Sequence, residues 1–130
     1  MNGYLRQIFG PGAQAVVEYK NGEFGGLRLR RGDGPGEVAI EFDALSGGTR
    51  EQVAAAVRLA MAEVLAPQHD GCLPVVFDDA FAFADPQRVR GVIEMLDLAA
   101  RRGLQVIVLT CTPAEYSTWG ARTVSLRARE

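Results

Sequence analysis

Lysine occurs once in these 130 residues, at Lys20, whereas arginine occurs thirteen times. A P-loop needs Gly-Lys followed by Ser or Thr, so that backbone N–H groups and one ammonium grip phosphates while a hydroxyl reaches Mg²⁺. Lys20 stands between Tyr19 and Asn21, so this sequence holds no such loop. Cysteine is nearly as scarce. Cys72 and Cys111 are too few for a disulfide framework. Cys72 precedes one apolar run and Cys111 follows another, which in a parallel pair puts them at opposite ends, and both read as reduced thiols. No stretch approaches the roughly 18 uninterrupted apolar residues of a membrane span, and the first ten residues lack the basic-then-apolar order of a secretory signal. These absences point to a cytoplasmic chain with no membrane partner. Excess positive charge is missing too. With a net charge of −2 and a pI near 5.4, the chain lacks the footprint of a phosphate-backbone binder, so any contact with DNA is expected to be indirect.

What is present is a chain that is 48% hydrophobic, enough for one compact domain over residues 1–130. About 1–43 reads as β-rich. Ala15–Tyr19 is a short strand, Asn21-Gly22 a turn, Leu27–Arg31 an alternating strand, and Glu37–Phe42 a third strand after a glycine-rich turn, together a small antiparallel sheet. Arg28, Arg30 and Arg31 read as a solvated face or a phosphate contact.

From about residue 44 the period becomes helical. Thr49 with Gln52 fits a capping box, Val53, Val57, Ala60, Met61, Val64 and Leu65 share one face, and Pro67 stops the helix. Leu73–Phe77 is a continuous apolar run ending in acid, the pattern of a parallel strand buried on both faces. A second helix starts at Asp85-Pro86 and carries Val89, Val92, Leu96 and Ala99 inward until Gly103. Gln105–Leu109 is the next strand, which makes a strand–helix–strand unit with a right-handed crossover. Residues 113–119 fit a short helix, and Thr123–Leu126 alternates as an edge strand would.

Two constellations carry chemistry. Leu45-Ser46-Gly47-Gly48-Thr49-Arg50-Glu51-Gln52 lies at a helix amino terminus, where free N–H groups and two glycines let a phosphate approach; by local pattern it is equally an ordinary cap and turn. Asp78 and Asp79 follow a strand at its carboxyl end, where ligands bind in open α/β sheets. Adjacent strand residues face opposite ways, which would give Asp78 to a metal and Asp79 to a water, although such pairs also serve as caps or solvated residues. His69, the only histidine, reads as a bland loop residue.

In order and spacing these segments resemble the ABC ATPase superfamily, in its SMC and double-strand-break-repair branch. LSGGTREQ is similar to the signature motif, VVFDDAF to the Walker B strand and FADPQR to the D-loop. The resemblance implies an α/β fold, the carboxy-terminal lobe of a P-loop NTPase-like head. It implies nucleotide contacts from Ser46, Gly47, Gly48, Gln52 and Asp85, Mg²⁺ support from Asp78, and catalytic roles for Asp79 and Thr112. Asp79 stands where most of the superfamily has glutamate. Thr112 stands where it has a histidine, and a hydroxyl cannot take an imidazolium's charge.

The expected function is therefore half of an SMC-like ATPase site in DNA repair or chromosome maintenance. ATP and Mg²⁺ would be held jointly with a P-loop-bearing amino-terminal lobe or a second head, possibly within a homo-oligomer. A non-catalytic module that pairs with an ATPase head is the alternative. The lobe's missing partner should leave apolar surface exposed.

Overall fold

The computed structural model describes residues 1–81 and 85–127. It opens with a helix the sequence reading did not anticipate, α1 (Asn2–Phe9). Eight residues cannot hold a helix alone in water, so α1 exists through tertiary packing, which local pattern does not report. Tyr4 and Leu5 are fully buried. The Tyr4 hydroxyl donates to Glu63 Oε1 at 2.5 Å, and the Arg102 guanidinium, 3.4 Å from the same carboxylate, lies 5.1 Å above the Tyr4 ring. At the other end of α1, Gly91 permits close approach: a Cβ there would come within 3.3 Å of Ile8 Cα.

Strands β1 (Gln14–Lys20) and β2 (Glu23–Arg30) form the expected hairpin around Asn21 and Gly22, both at positive φ (53° and 83°), the turn geometry that suits right-twisted strands. The third strand is far shorter than expected. β3 (Ile40–Glu41) pairs antiparallel with β2 only at Leu29 and Arg28. The glycine-rich turn draws Glu37 back toward Gly34, and Val38 is left 73% exposed.

Helix α2 (Gly47–Leu65) is capped by Ser46 rather than Thr49, which instead lies one turn in and donates its N–H to Ser46 Oγ at 3.4 Å. Its buried face is Thr49, Gln52, Val53, Ala55, Ala56, Leu59 and Ala62. Val57 and Ala60 flank it, but Met61, Val64 and Leu65 are 58%, 72% and 39% exposed, contrary to expectation. Because α2 is apolar on several sides, periodicity could not choose among faces; small alanines, which allow close approach, took the inner one.

β4 (Pro74–Asp78) and β5 (Gln105–Leu109) pair in parallel, joined by α3 (Pro86–Arg101). α3 buries Val89, Val92, Met95, Leu96 and Ala99, as its pattern required. The two strands are not buried on both faces. Val75 and Phe77 face the helices, whereas Val76, Ile107 and Leu109 are 44%, 37% and 40% exposed on the other side. The helices cover one face only, so the continuous apolar run marks a sheet whose second face is bare among the described residues. Pro113–Tyr116 is a short 3₁₀ turn. Residues 123–126 form no strand among the described residues, and Val124 and Leu126 are 68% and 85% exposed.

The Tyr4 cluster makes a testable contribution to stability. Burial first, then the hydrogen bond and charge of Glu63, push the Tyr4 hydroxyl up from 10.0 to about 12, with Arg102 opposing. A raised folded-state value favours the protonated form, so its contribution is complete below pH 10 and lost as pH rises toward 12. Tyr4→Phe is expected to cost about 1–2 kcal/mol at neutral pH, by urea denaturation, for loss of a charge-assisted bond. The gap between variant and parent should close between pH 10 and 12; a gap independent of pH would rule out this role for the phenol.

Candidate functional site

Two helices begin at the same place. Ser46 caps α2 and Asp85 caps α3, the latter accepting the Arg88 N–H at 2.9 Å. Each start leaves N–H groups without intrahelical acceptors and carries a partial positive charge. The two starts touch at Gly48, where a side chain would collide with Arg88 Nη1. Arg88 is steered there by Asp85, whose Oδ2 lies 3.3 Å from Nε. Two clefts open beside this contact. One, of about 510 Å³, is bordered by Gly47, Gly48, Arg50, Gln52, Phe81 and Arg88. The other, of about 210 Å³, is bordered by Phe9, Arg31, Thr49, Gln52, Asp85 and Arg88.

Gln52 borders both clefts. It is 3% exposed, and its Nε2 has no hydrogen-bond partner among the described residues. A buried amide donor left unpaired costs about 1–3 kcal/mol, so such a group marks a place where a partner is absent. Arg31, from the end of the hairpin, was read from sequence as one of a solvated trio or a phosphate contact. In the structure its Nη2 donates to Thr49 Oγ1 at 3.3 Å, and that hydroxyl lies 2.8 Å from Ser46 Oγ. Arg31 also stacks 5.3 Å over the Phe9 ring. Neither Arg31's link to Ser46 nor Arg88's seat on Gly48 was legible locally, because both join segments distant in sequence.

The carboxylates form a separate cluster. Asp78 ends β4 opposite Leu109, on the same side as Val76 and the bare apolar face. Asp79 takes the left-handed conformation (φ 48°) and donates its N–H to Leu109 O at 2.8 Å, so the chain turns sharply between the two acids. The strand alternation expected for the pair therefore does not extend to Asp79, which lies past the end of β4. Cys111 Sγ lies 3.7 Å and 3.8 Å from the Asp79 carboxylate oxygens. Burial, then Glu115 and Asp79, raise the Tyr116 hydroxyl above its ordinary value, placing a neutral phenol near that acid. Thr112 is committed elsewhere, donating through Oγ1 to Glu115 Oε2 at 3.0 Å. Among the described residues no three His, Cys, Asp or Glu side chains converge to hold a metal ion. A single strand-end carboxylate such as Asp78 suits one coordination position of a Mg²⁺ that takes its remaining ligands from phosphates and water.

Ser46, Gly47, Gly48, Gln52 and Asp85 are thus brought together, and Asp78, Asp79 and Thr112 border neither cleft. Phe83 and Ala84 of the expected D-loop lie outside the described residues.

Comparison with known proteins decides the family. The family described as SbcC/RAD50-like, Walker B motif, matches residues 15–97, which span the hairpin, the α2 start, Asp78 and most of α3. The chain belongs to the SbcC/RAD50-like Walker B family. Uncharacterized proteins of Mycobacterium bovis and Mycobacterium tuberculosis are 36% identical over 124 residues, 95% of this chain and 13% of theirs. The chain therefore spans about 13% of the length of those relatives. A solved chain from the structural biochemistry of ATP-driven dimerization and DNA stimulated activation of SMC ATPases superposes with a TM-score of 0.69, at 20% identity, covering 99% of this chain and 74% of that one. By family this is an SbcC/RAD50-like Walker B lobe, and its fold is that of the SMC ATPase chain on which it superposes, the mixed α/β architecture of P-loop NTPase-like proteins. No helix among the described residues is long and apolar enough to cross a membrane.

The α3 cap of this family member offers a direct check. Asp85→Ala should lower stability by about 1 kcal/mol in urea denaturation through loss of the cap. Asp85→Asn, which retains a capping oxygen, should cost much less, because the exposed Asp85–Arg88 pair is worth little. Equal losses in both variants would mean that the ion pair, not the cap, sets the start of α3.

Proposed function

We propose that this lobe supplies two halves of ATP sites completed by P-loop-bearing lobes, and that the assembly works in DNA repair or chromosome maintenance. The observation that carries this reading is the separation of the two clusters. Ser46, Gly47 and Gly48 present a helix amino terminus suited to a phosphate, yet the acids suited to metal and water, Asp78 and Asp79, border a different part of the surface. In this reading the loop and the acids serve two different nucleotides, each shared with another lobe.

In this reading Ser46 Oγ and the Gly47 and Gly48 amides bind the terminal phosphate of a nucleotide held by a facing head, with Gln52 and Asp85 bordering the same region. Asp78 would take one coordination position of Mg²⁺, whose charge, when bound, neutralises the phosphates. Asp79 would orient and deprotonate the attacking water. The bare face of β4 and β5, with Val76, Ile107 and Leu109, suits cover by the partner lobe and ends at Asp78. DNA would then be handled by other parts of the assembly, consistent with the chain's net charge of −2.

A second reading, a pairing module without turnover, is favoured by one observation. The Thr112 hydroxyl is spent on Glu115 and Asp79 has a shorter arm than the glutamate usual at its position, which leaves the hydrolytic groups weaker than the phosphate-binding loop.

Calorimetry with ATP and Mg²⁺ separates these readings. The chain alone should give no tight binding, and its mixture with a P-loop lobe encoded in the same region should bind, with binding lost in Ser46→Arg. Tight binding by the chain alone would contradict the shared site. Binding by the mixture without phosphate release would favour the pairing module.

A further inference from the structure

Arg88 is unexplained by its cap and ion pair. Its Nε is held by Asp85, and its Nη1 packs against Gly48, where a side chain would have to displace it. The surroundings concentrate positive potential: the amino ends of α2 and α3 meet there, and Arg31 and Arg50 border the same two clefts. Against these stand only Asp85 and Glu51. Between the clefts, Gln52 holds an unpartnered Nε2 at 3% exposure. A buried amide donor without an acceptor, beside a guanidinium and two helix starts, suits an anion rich in acceptor oxygens.

We infer that Arg88 is a phosphate-recognition residue of this loop: its guanidinium, packed beside Gly48, and the N–H groups at the amino end of α2 bind the terminal phosphate of a polyphosphate chain in the cleft they both border, which Gln52 also lines. This rests on the shared-site reading, to which it adds a cation from α3. A single lysine, Lys20, lies far off in the hairpin turn, so the positive charge at this loop comes from arginine, whose planar fork can bond two phosphate oxygens at once. Arg31 acts as a positioning residue, fixing the Ser46 hydroxyl through Thr49 Oγ1. No bond is made or broken in this step.

The test uses the chain itself and inorganic tripolyphosphate at low salt, followed by NMR at the Gly47 and Gly48 amides and the Gln52 side-chain amide. Saturable, weak shifts confined to these groups are expected. Arg88→Gln should weaken the response at least tenfold and Arg88→Lys less, while Arg90→Gln, one residue pair along α3, should titrate as the parent does. The dispersed spectrum of each variant checks that it folds. Absence of a saturable response in the parent, or an Arg88→Gln titration that matches it, would overturn the assignment. If the Arg88 result fails while the mixed assembly still binds ATP in a Ser46-dependent way, the shared site stands without Arg88; if both fail, the shared-site reading falls with it.

Discussion

The meeting of the α2 and α3 starts beside Gly48 and Arg88 is the contact on which the proposed site depends. Two helices, each with a partial positive charge at its start, converge on one point, and such ends repel unless something intervenes. Ser46 and Asp85 cap them, and the Asp85 carboxylate offers negative charge to the α3 start and to Arg88 at once. What remains is positive and under-satisfied. Gln52, buried with its Nε2 unpaired, is the plainest sign that the structure keeps donors in reserve. Helix α1 and the hairpin support this arrangement from behind: Ile8 against Gly91 seats α3, Tyr4 against Glu63 seats α2, and Arg31 reaches Thr49.

The acids obey a different constraint. β4 and β5 are held by helices on one face, so Asp78 stands at the edge of an uncovered apolar strip. Asp79 takes a left-handed conformation that costs a non-glycine residue energy, and a backbone bond from its N–H to Leu109 O accompanies it. The acid cluster borders neither of the clefts beside the Ser46 loop, so the two groups face different parts of the surface.

Much of this was readable from sequence because its signals are local. Asp85-Pro86 marks a helix start by capping and fixed φ, Gln105–Leu109 marks a strand by its apolar run, and Asn21-Gly22 marks a hairpin turn by tolerance of positive φ. The loop at Ser46 was readable as motif and position. What could not be read depends on partners distant in the chain. α1 owes its existence to α2 and α3, the inner face of α2 was chosen by close packing of alanines among several apolar options, and β3 ends early for want of a partner beyond two residues. Arg31 was legible as part of a solvated face or a phosphate contact and Arg88 as the end of the FADPQR segment; their seats on Thr49 and Gly48 are products of the fold.

Hydrogen exchange tests the shared site most directly. With a P-loop lobe and ATP present, the account predicts protection at the first turn of α2, Gly47 to Arg50, and at the Val76 to Asp79 strand end, with neither protected when ATP is omitted. Unchanged exchange at both segments, or protection of both by ATP without the second lobe, would contradict it.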